Sequence, residues 1–330
     1  MPYPKEIREK SSEILAARRE RAAAELQRRK EQIRRTAPEV SILERELATT
    51  SLKLSRAIIE GIDVEQKVEE IKQFNLAKQQ EIKEALINAG FAPDALEIHY
   101  SCPHCKDTGN RNGKLCSCTV ELQKGLMYER LGAVSNMADC GFDNFSLEYF
   151  SAAKSEGSPI SEQDIMGKTL SECHKYADSF SRSSQSLLLT GKPGLGKTHL
   201  SIAIACEVID KGFDVLYVPF NTLISRLEAM RFGHGSDDFQ IAMQPIMDSE
   251  LLVLDDLGCE FTTSFSNSVL YDIVNTRQLL SLPTIINTNL GSNELSAKYG
   301  ERIASRLLGC YRVIPFVGND IRLQKKSINK

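Results

Sequence analysis

A chain of 330 residues, 42% hydrophobic and 26% charged, has the apolar material for a full core and length for roughly two domains. Its formal net charge of -3 excludes a uniformly basic nucleic-acid binder of the histone kind, though not a local basic face. No apolar run is long enough for a membrane span, and the opening "MPYPKEIREK" lacks the apolar stretch of a secretory signal. A cytoplasmic protein without membrane contact is therefore expected, its nine cysteines serving as ligands or buried thiols rather than bridges.

From Lys5 to Gly90 proline and glycine are almost absent, and apolar residues recur at helical spacing. The pattern predicts three helices. The first runs from about Lys5 to Arg35 and stops before Pro38. The second starts at Ser41, which forms a Ser-x-x-Glu capping box with Glu44, and ends near Gly61. Asp63 caps the third, Val64, Val68, Ile71, Ile82 and Leu86 form its apolar stripe, and Gly90 suits the left-handed position past its end. Two readings stand for this region: a self-contained antiparallel bundle, or an arm that docks on another protein because the first helix is too polar to bury much of itself. Arg18, Arg19, Arg21, Arg28, Arg29, Lys30, Arg34 and Arg35 make that helix basic. The interleaved Glu20, Glu25 and Glu31 fit a solvated face as well as a contact with nucleic acid or an acidic surface.

The stretch "CPHCKDTGNRNGKLCSC" follows at 102–118. Cys102 and Cys105 make a Cys-x-x-Cys turn, Cys116 and Cys118 come just after, and Gly109, Asn112 and Gly113 supply the turns that join the pairs. Four thiolates within reach suit Zn²⁺, and a fully ligated site with no open position is structural. Cys-x-Cys is the less favourable spacing, because alternate side chains must turn toward one ion, so His104, His99 and Cys140 stand as substitutes for one ligand. A redox dithiol is the weaker alternative, since the pair opens no helix of a thioredoxin-like unit. Cys173, Cys206, Cys259 and Cys310 are scattered and read as small core residues.

Beyond "ADCGFDNFSLEYF" and a Ser-rich segment, apolar runs of strand length alternate with amphipathic segments. "SLLLT" (186–190), "VLYVPF" (215–220), "LLVLDD" (251–256), "PTIINTN" (283–289) and "YRVIPF" (311–316) read as buried strands of an α/β domain with a parallel sheet. Directly after the first strand, "GKPGLGKT" (191–198) fits G-x-x-x-x-G-K-[ST] and opens a helix. Its glycines let backbone amides wrap phosphates, Lys197 brings positive charge to the β and γ phosphates, and the Thr198 hydroxyl is a ligand for Mg²⁺. Nucleotide contacts are expected from Gly191, Pro193, Gly194, Leu195 and Gly196 of the loop, and from His199 just beyond it.

"LLVLDD" ends a strand in two carboxylates. Asp255 is placed to hold Mg²⁺, and Asp256 to orient or polarise the attacking water. Many ATPases carry Glu at the second place, and the shorter Asp is compatible with slow, switch-like hydrolysis. Asn289, ending its strand, can bond the γ phosphate or the water, or serve only as a turn residue. "YGERIASRL" presents Arg302 and Arg306 four apart on one helix face, suited to transition-state charge on phosphate or to a surface ion pair with Glu301.

Together "GKPGLGKTHL", "LLVLDDLG", "PTIINTNL", "YGERIASRLLG" and "PFVGNDIR" resemble the DnaC and DnaI type of bacterial helicase loader, a group of AAA+ ATPases, over roughly Phe142 to Arg322. The resemblance implies ATP as the nucleotide, 191–198 as Walker A, Asp255 and Asp256 as Walker B, and Asn289 as sensor one. It further implies Arg306, or Arg302, as an arginine finger acting on a neighbouring copy, and Arg322 as a sensor-two-like residue. Its task would be to escort a DnaB-type hexameric replicative helicase onto single-stranded DNA. Residues 1–98 would form a helical helicase-binding domain, 99–140 a zinc-binding module and connector, and 141–330 an AAA+ ATPase domain. About 14 residues follow Phe316, too few for a full helical lid. Arg226, Arg231 and His234 are candidate DNA-phosphate contacts by resemblance, and Phe142 and Phe145 are candidates either to stack on the adenine or to pack in the core. The competing expectations are a transposition ATPase of the IstB kind, which has a shorter helical start and no four-cysteine knot, and a nucleotide-switched adaptor with negligible hydrolysis.

Overall fold

The computed structural model describes residues 3–60, 64–131, 140–154, 159–233 and 236–328. By contact the chain divides into Glu9–Val120 and a second unit that joins Met1–Arg8 to Glu121–Lys330.

The first unit carries most of α1 (Lys5–Thr36), with α2 (Pro38–Glu60) and α3 (Val64–Asn88). The second helix begins at Pro38 rather than Ser41, because proline, with its fixed φ and no N–H to satisfy, suits the first helical position. Ser41 is consequently inside α2 and cannot cap it; Gly61 and Asp63 lie outside the described residues. Past α3, Gly90 takes a φ of +81°, and Phe91 N donates to Leu86 O at 2.9 Å, which closes the helix as expected.

Ile33, Ala37, Val40, Ile82, Leu86 and Ala95 form a small core, so these helices bury a seam of their own. Only the C-terminal part of the α3 stripe reaches it, since Val68 is exposed. The first helix buries more than its polarity suggests, including Leu15, Leu26 and Ile33. Its partner is the cysteine stretch: a Cβ at Gly109 would stand 2.9 Å from Leu15 Cδ1, and Arg19 donates to Asp107 O at 2.8 Å. Arg29 donates to Glu97 O at 2.9 Å and to His99 Nδ1 at 3.0 Å. The boundary expected at 98/99 thus crosses a packed region, with 99–118 in the same compact unit as the helices. Arg28 and Arg35 pair with Glu25 and Glu31 on the exposed surface, as a solvated face would.

A two-stranded hairpin, β1 (Asn110–Arg111) and β2 (Lys114–Leu115), turns on Asn112 and Gly113, both at positive φ. α4 (Ser117–Leu131) runs into the second unit, followed by a single 3-10 turn at Leu147–Tyr149 and by α5 (Glu162–Asp178). Then β3 (Leu187–Thr190), α6 (Lys197–Asp210), β4 (Val215–Pro219), α7 (Phe220–Gly233) and α8 (Ser236–Asp248) alternate. The rest is β5 (Leu251–Leu257), α9 (Ser264–Leu279), β6 (Thr284–Thr288), α10 (Ser292–Tyr299), α11 (Glu301–Cys310), β7 (Arg312–Pro315) and α12 (Ile321–Ile328).

The five long strands make one sheet in the order β4-β5-β6-β3-β7, every neighbouring pair parallel. Leu187–Leu189, Leu251–Leu254 and Ile285–Ile286 are buried, as strands covered on both faces must be. This is a parallel α/β sheet with a glycine-rich loop after β3, preceded by a helical region. It sets the C-terminal ends of β3, β5 and β6 side by side, where open α/β sheets bind ligands.

Candidate nucleotide-binding site and four-cysteine centre

The loop after β3 needs glycine at three close approaches. Gly191, Gly194 and Gly196 have φ of +149°, +78° and +91°. A Cβ at Gly194 would come 2.0 Å from the Asp320 carboxylate, and one at Gly196 would come 2.6 Å from the Phe145 ring. The C-terminal segment covers the loop from one side, with Ile321 N donating to Gly194 O at 3.0 Å and Asp320 accepting from Arg322 N at 2.8 Å at the start of α12.

A cavity of about 710 Å³ opens here, lined by Pro193–His199 and by Phe145, Asp256, Asn289 and Arg322. Lys197 Nζ donates to Asn289 Oδ1 at 2.6 Å, to Lys192 O at 2.8 Å and to Gly191 O. These oxygens occupy an ammonium that phosphate oxygens would otherwise satisfy. Burial pulls the Lys197 ammonium down to about 8, although Asp256 and Asp255 both favour its charge. Thr198 Oγ1 donates to Asp255 Oδ2 at 3.0 Å, so a hydroxyl and a carboxylate, both hard oxygen donors, meet where a magnesium ion would need them.

Asp256 has a φ of +53° at a break in the β5–β6 register between Leu254 and Leu257. Such an irregularity re-aims a side chain, and here it turns the second carboxylate to the cavity while Asp255 stays buried beneath it. Burial, then the charge of Asp255, raises the Asp256 pKa, in the direction that helps a carboxylate accept a proton.

The expected aromatic and arginine groups divide. Phe145 lines the cavity and packs on Phe150, with ring centroids 5.9 Å apart. Its neighbour His199 gives Nε2 to a 2.7 Å bond with Gly141 O and meets the Phe145 ring edge-on at 5.5 Å. Phe142 instead packs edge-on against His174, 5.0 Å between centroids, and is not part of the lining. Arg322 does reach the cavity. Arg302 and Arg306 do not line it: Arg302 is exposed, and Arg306 is held by Tyr271 OH and Asn275 Oδ1, each at 3.2 Å, with its guanidinium 4.8 Å from the Tyr271 ring centre. Arg226 is exposed, Arg231 lies 5.0 Å over the Phe265 ring, and His234 lies outside the described residues.

In the other unit, the ligand atoms of Cys102, Cys105, Cys116 and Cys118 all lie within 4.8 Å of one another. Cys102 Sγ is 3.8 Å from Cys116 Sγ, and Cys105 Sγ is 3.5 Å from Cys118 Sγ. Tetrahedral zinc with Zn–S bonds of about 2.3 Å has S···S edges of about 3.8 Å, so the donor set fits that ion. Buried Asp107 braces the loop by accepting from Ser101 N at 2.8 Å and from Cys102 N at 2.9 Å. The Cys-x-Cys spacing succeeds because Ser117 starts α4: leaving the strand for the helix turns Cys116 and Cys118 to one side. Of the three substitutes, His99 pairs with Asp94 at 3.0 Å, Cys140 lines the nucleotide cavity, and His104, like both, stands outside the cluster. A backbone bond from Cys105 lowers the Cys102 thiol to about 7, while burial pushes Cys118 up to about 12.

Residues 163–329 match the family of the IstB-like ATP binding protein. The chain belongs to that family. The replicative helicase loader DnaC of Escherichia coli (strain K12) is 26% identical over 200 residues, 59% of this chain and 76% of the relative. An insertion sequence IS21 putative ATP-binding protein from Pseudomonas aeruginosa is 26% identical over 152 residues, 44% of this chain and 56% of that relative. A crystal structure of the DnaC helicase loader covers 56% of this chain and all of its own at 22% identity, with a TM-score of 0.46.

In this IstB-like chain the described site also holds residues that sequence reasoning passed over. Tyr217 and Asn287 bond Asp255, and Asp320 lies against Gly194. Asn287 carries a signal, since an amide inside a buried strand, two residues before Asn289, is out of place in a run of isoleucines. Tyr217 gives none, because tyrosine is an ordinary strand residue.

Proposed function

We propose that the chain is a Mg²⁺-dependent ATPase that loads a DnaB-type replicative helicase onto single-stranded DNA. One observation carries the ATPase reading: Lys197 bonded to Asn289, and Thr198 bonded to Asp255, around a cavity that the P-loop lines. Lys197 and the loop amides would bind the β and γ phosphates. Thr198 and Asp255 would hold Mg²⁺, which neutralises phosphate charge when bound. Asp256 would take the proton of the attacking water, and Asn289 would orient that water or the γ phosphate once Lys197 has released it. Arg306, or Arg302, would act on the nucleotide of a second copy, in keeping with their place away from this chain's own cavity.

The DnaC relative, which spans more of this chain than the IS21 relative, supports helicase loading. The helical unit with its four cysteines supports the same reading as a separate module for gripping the helicase, with zinc on Cys102, Cys105, Cys116 and Cys118 as a structural ion in a cytoplasmic protein. A transposition ATPase is the second reading, favoured by the family match and by the IS21 relative.

The deciding experiment combines turnover and co-purification. ATP hydrolysis by the parent, Lys197→Ala and Arg306→Ala is measured with and without replicative helicase and single-stranded DNA. The expected result is a helicase complex with the parent, and turnover reduced by about 10³-fold in Arg306→Ala with ATP affinity unchanged. Equal background rates in all three proteins would favour a nucleotide-switched adaptor, and absence of any helicase complex in both ATP and ADP would remove the loader reading.

A further inference from the structure

Asn287 lies inside β6, one residue before the strand's last residue, Thr288, and two before Asn289, which follows the strand. It is fully buried. Its Nδ2 donates to Asp255 Oδ1 at 2.6 Å and to Ser201 Oγ at 2.8 Å, whereas its Oδ1 has no partner among the described residues. Turning the amide over would set that oxygen against the carboxylate, so the donor orientation is the one the surroundings permit. From β4, the Tyr217 hydroxyl donates to Asp255 Oδ2. Thr198 Oγ1 reaches the same carboxylate, 3.0 Å from Oδ2 and 3.2 Å from Oδ1.

A leucine or valine would fill this interior strand position with better strand propensity and no orphaned acceptor. The amide's two protons instead go to a carboxylate and to Ser201, whose own hydroxyl donates to Thr198 O at 3.0 Å. Asn287 therefore ties the two oxygen donors of the metal site to one another. Tyr217 fixes the remaining freedom of Asp255, its rotation about the carboxylate axis, by engaging the other oxygen.

We propose that Asn287 and Tyr217 are positioning residues that hold one oxygen each of the Asp255 carboxylate, presetting Thr198 and Asp255 for the metal of a metal–nucleotide complex. The inference rests on the nucleotide-binding reading given above. Outer hydrogen-bond partners of metal ligands orient those ligands, and losing one lowers metal affinity by about 10–100-fold. Ordinary packing would need neither the amide nor the hydroxyl.

The test uses the full chain and a fluorescent ATP analogue, bound in EDTA and then across a Mg²⁺ titration, for parent, Asn287→Leu and Tyr217→Phe. The parent is expected to bind more tightly with Mg²⁺. In Asn287→Leu the Mg²⁺ concentration for half-maximal tightening should rise by at least about 10-fold, and it should rise in Tyr217→Phe too, with affinity in EDTA preserved in both. A merely structural role would lower thermal stability or weaken binding equally with and without Mg²⁺, and that outcome overturns the proposal. Should Asn287→Leu fail to fold, an unchanged Mg²⁺ midpoint in Tyr217→Phe overturns it alone. A parent that binds no analogue under either condition defeats the nucleotide-binding reading itself, a result distinct from unchanged midpoints in the variants.

Discussion

The nucleotide cavity and the four-cysteine cluster both gather polar side chains from distant positions, but they hold them in opposite ways. Around the P-loop, Lys197, Thr198, Asp255 and Asn289 bond one another next to a cavity of about 710 Å³, so each group has a partner that a ligand can replace. The four cysteine sulfurs converge on one another, and the loop that carries them is braced by Asp107 and packed on Leu15. A site that exchanges its ligand keeps its polar groups satisfied in a reversible manner and leaves room to enter. One that serves as a fixed cross-link closes on its ion and recruits a helix instead.

That contrast can be broken by experiment. The largest effect is expected from metal removal. Stripping zinc with a chelator, or substituting Cys105→Ser, should unfold the loop and free α1 along Glu9–Val120, since a structural zinc is worth about 10–16 kcal/mol in small peptides. Helix content and protease resistance of that unit should fall together, while binding of an ATP analogue persists. Metal analysis of reduced protein should find about one zinc per chain, and finding none would end the cross-link interpretation.

A smaller effect is expected from Lys197→Ala, which should weaken the ATP analogue by about 100-fold, or roughly 2.7 kcal/mol, and leave zinc content untouched. Calorimetric titration alongside metal analysis checks both halves.

The mildest test is pH. Burial lowers the free Lys197 ammonium to about 8, and bound phosphate favours the charged form, so the bound pKa lies higher. The lysine's contribution to affinity is therefore complete below about 8 and is lost as pH rises through that value. From pH 7 to 9 affinity should fall by about 10-fold, a trend that titrations of Lys197→Ala should lack. A flat profile for the parent would show that the ammonium is not partly discharged in the free site.

How far the sequence could be read differs along the chain. The strand "SLLLT", the loop and the helix behind it are contiguous, so local chemistry dictated their form, and "LLVLDD" announced its carboxylates in the same manner. The four thiols were legible from spacing alone, although not the reason that Cys118 turns inward, which is the start of α4. The second helix starts three residues ahead of Ser41, because a proline that stops one helix can also open the next. The basic face of α1 looked like a surface feature, yet Arg19 and Arg29 donate inside their own unit, to Asp107, Glu97 and His99. No local pattern announces pairings across 68 to 88 residues.

By itself, then, the amino-acid order determined the elements and the residue types of both centres, because P-loop geometry and thiolate spacing are short-range properties of the backbone. Only the tertiary structure decided which partners those residues take. The parallel order β4-β5-β6-β3-β7 brings Tyr217, Asp255 and Asn287 from three strands to one carboxylate, and leaves Arg302 and Arg306 outside the cavity. Strand order is a long-range packing outcome, and the hydrogen bonds around the Asp255 carboxylate exist only once the sheet has formed.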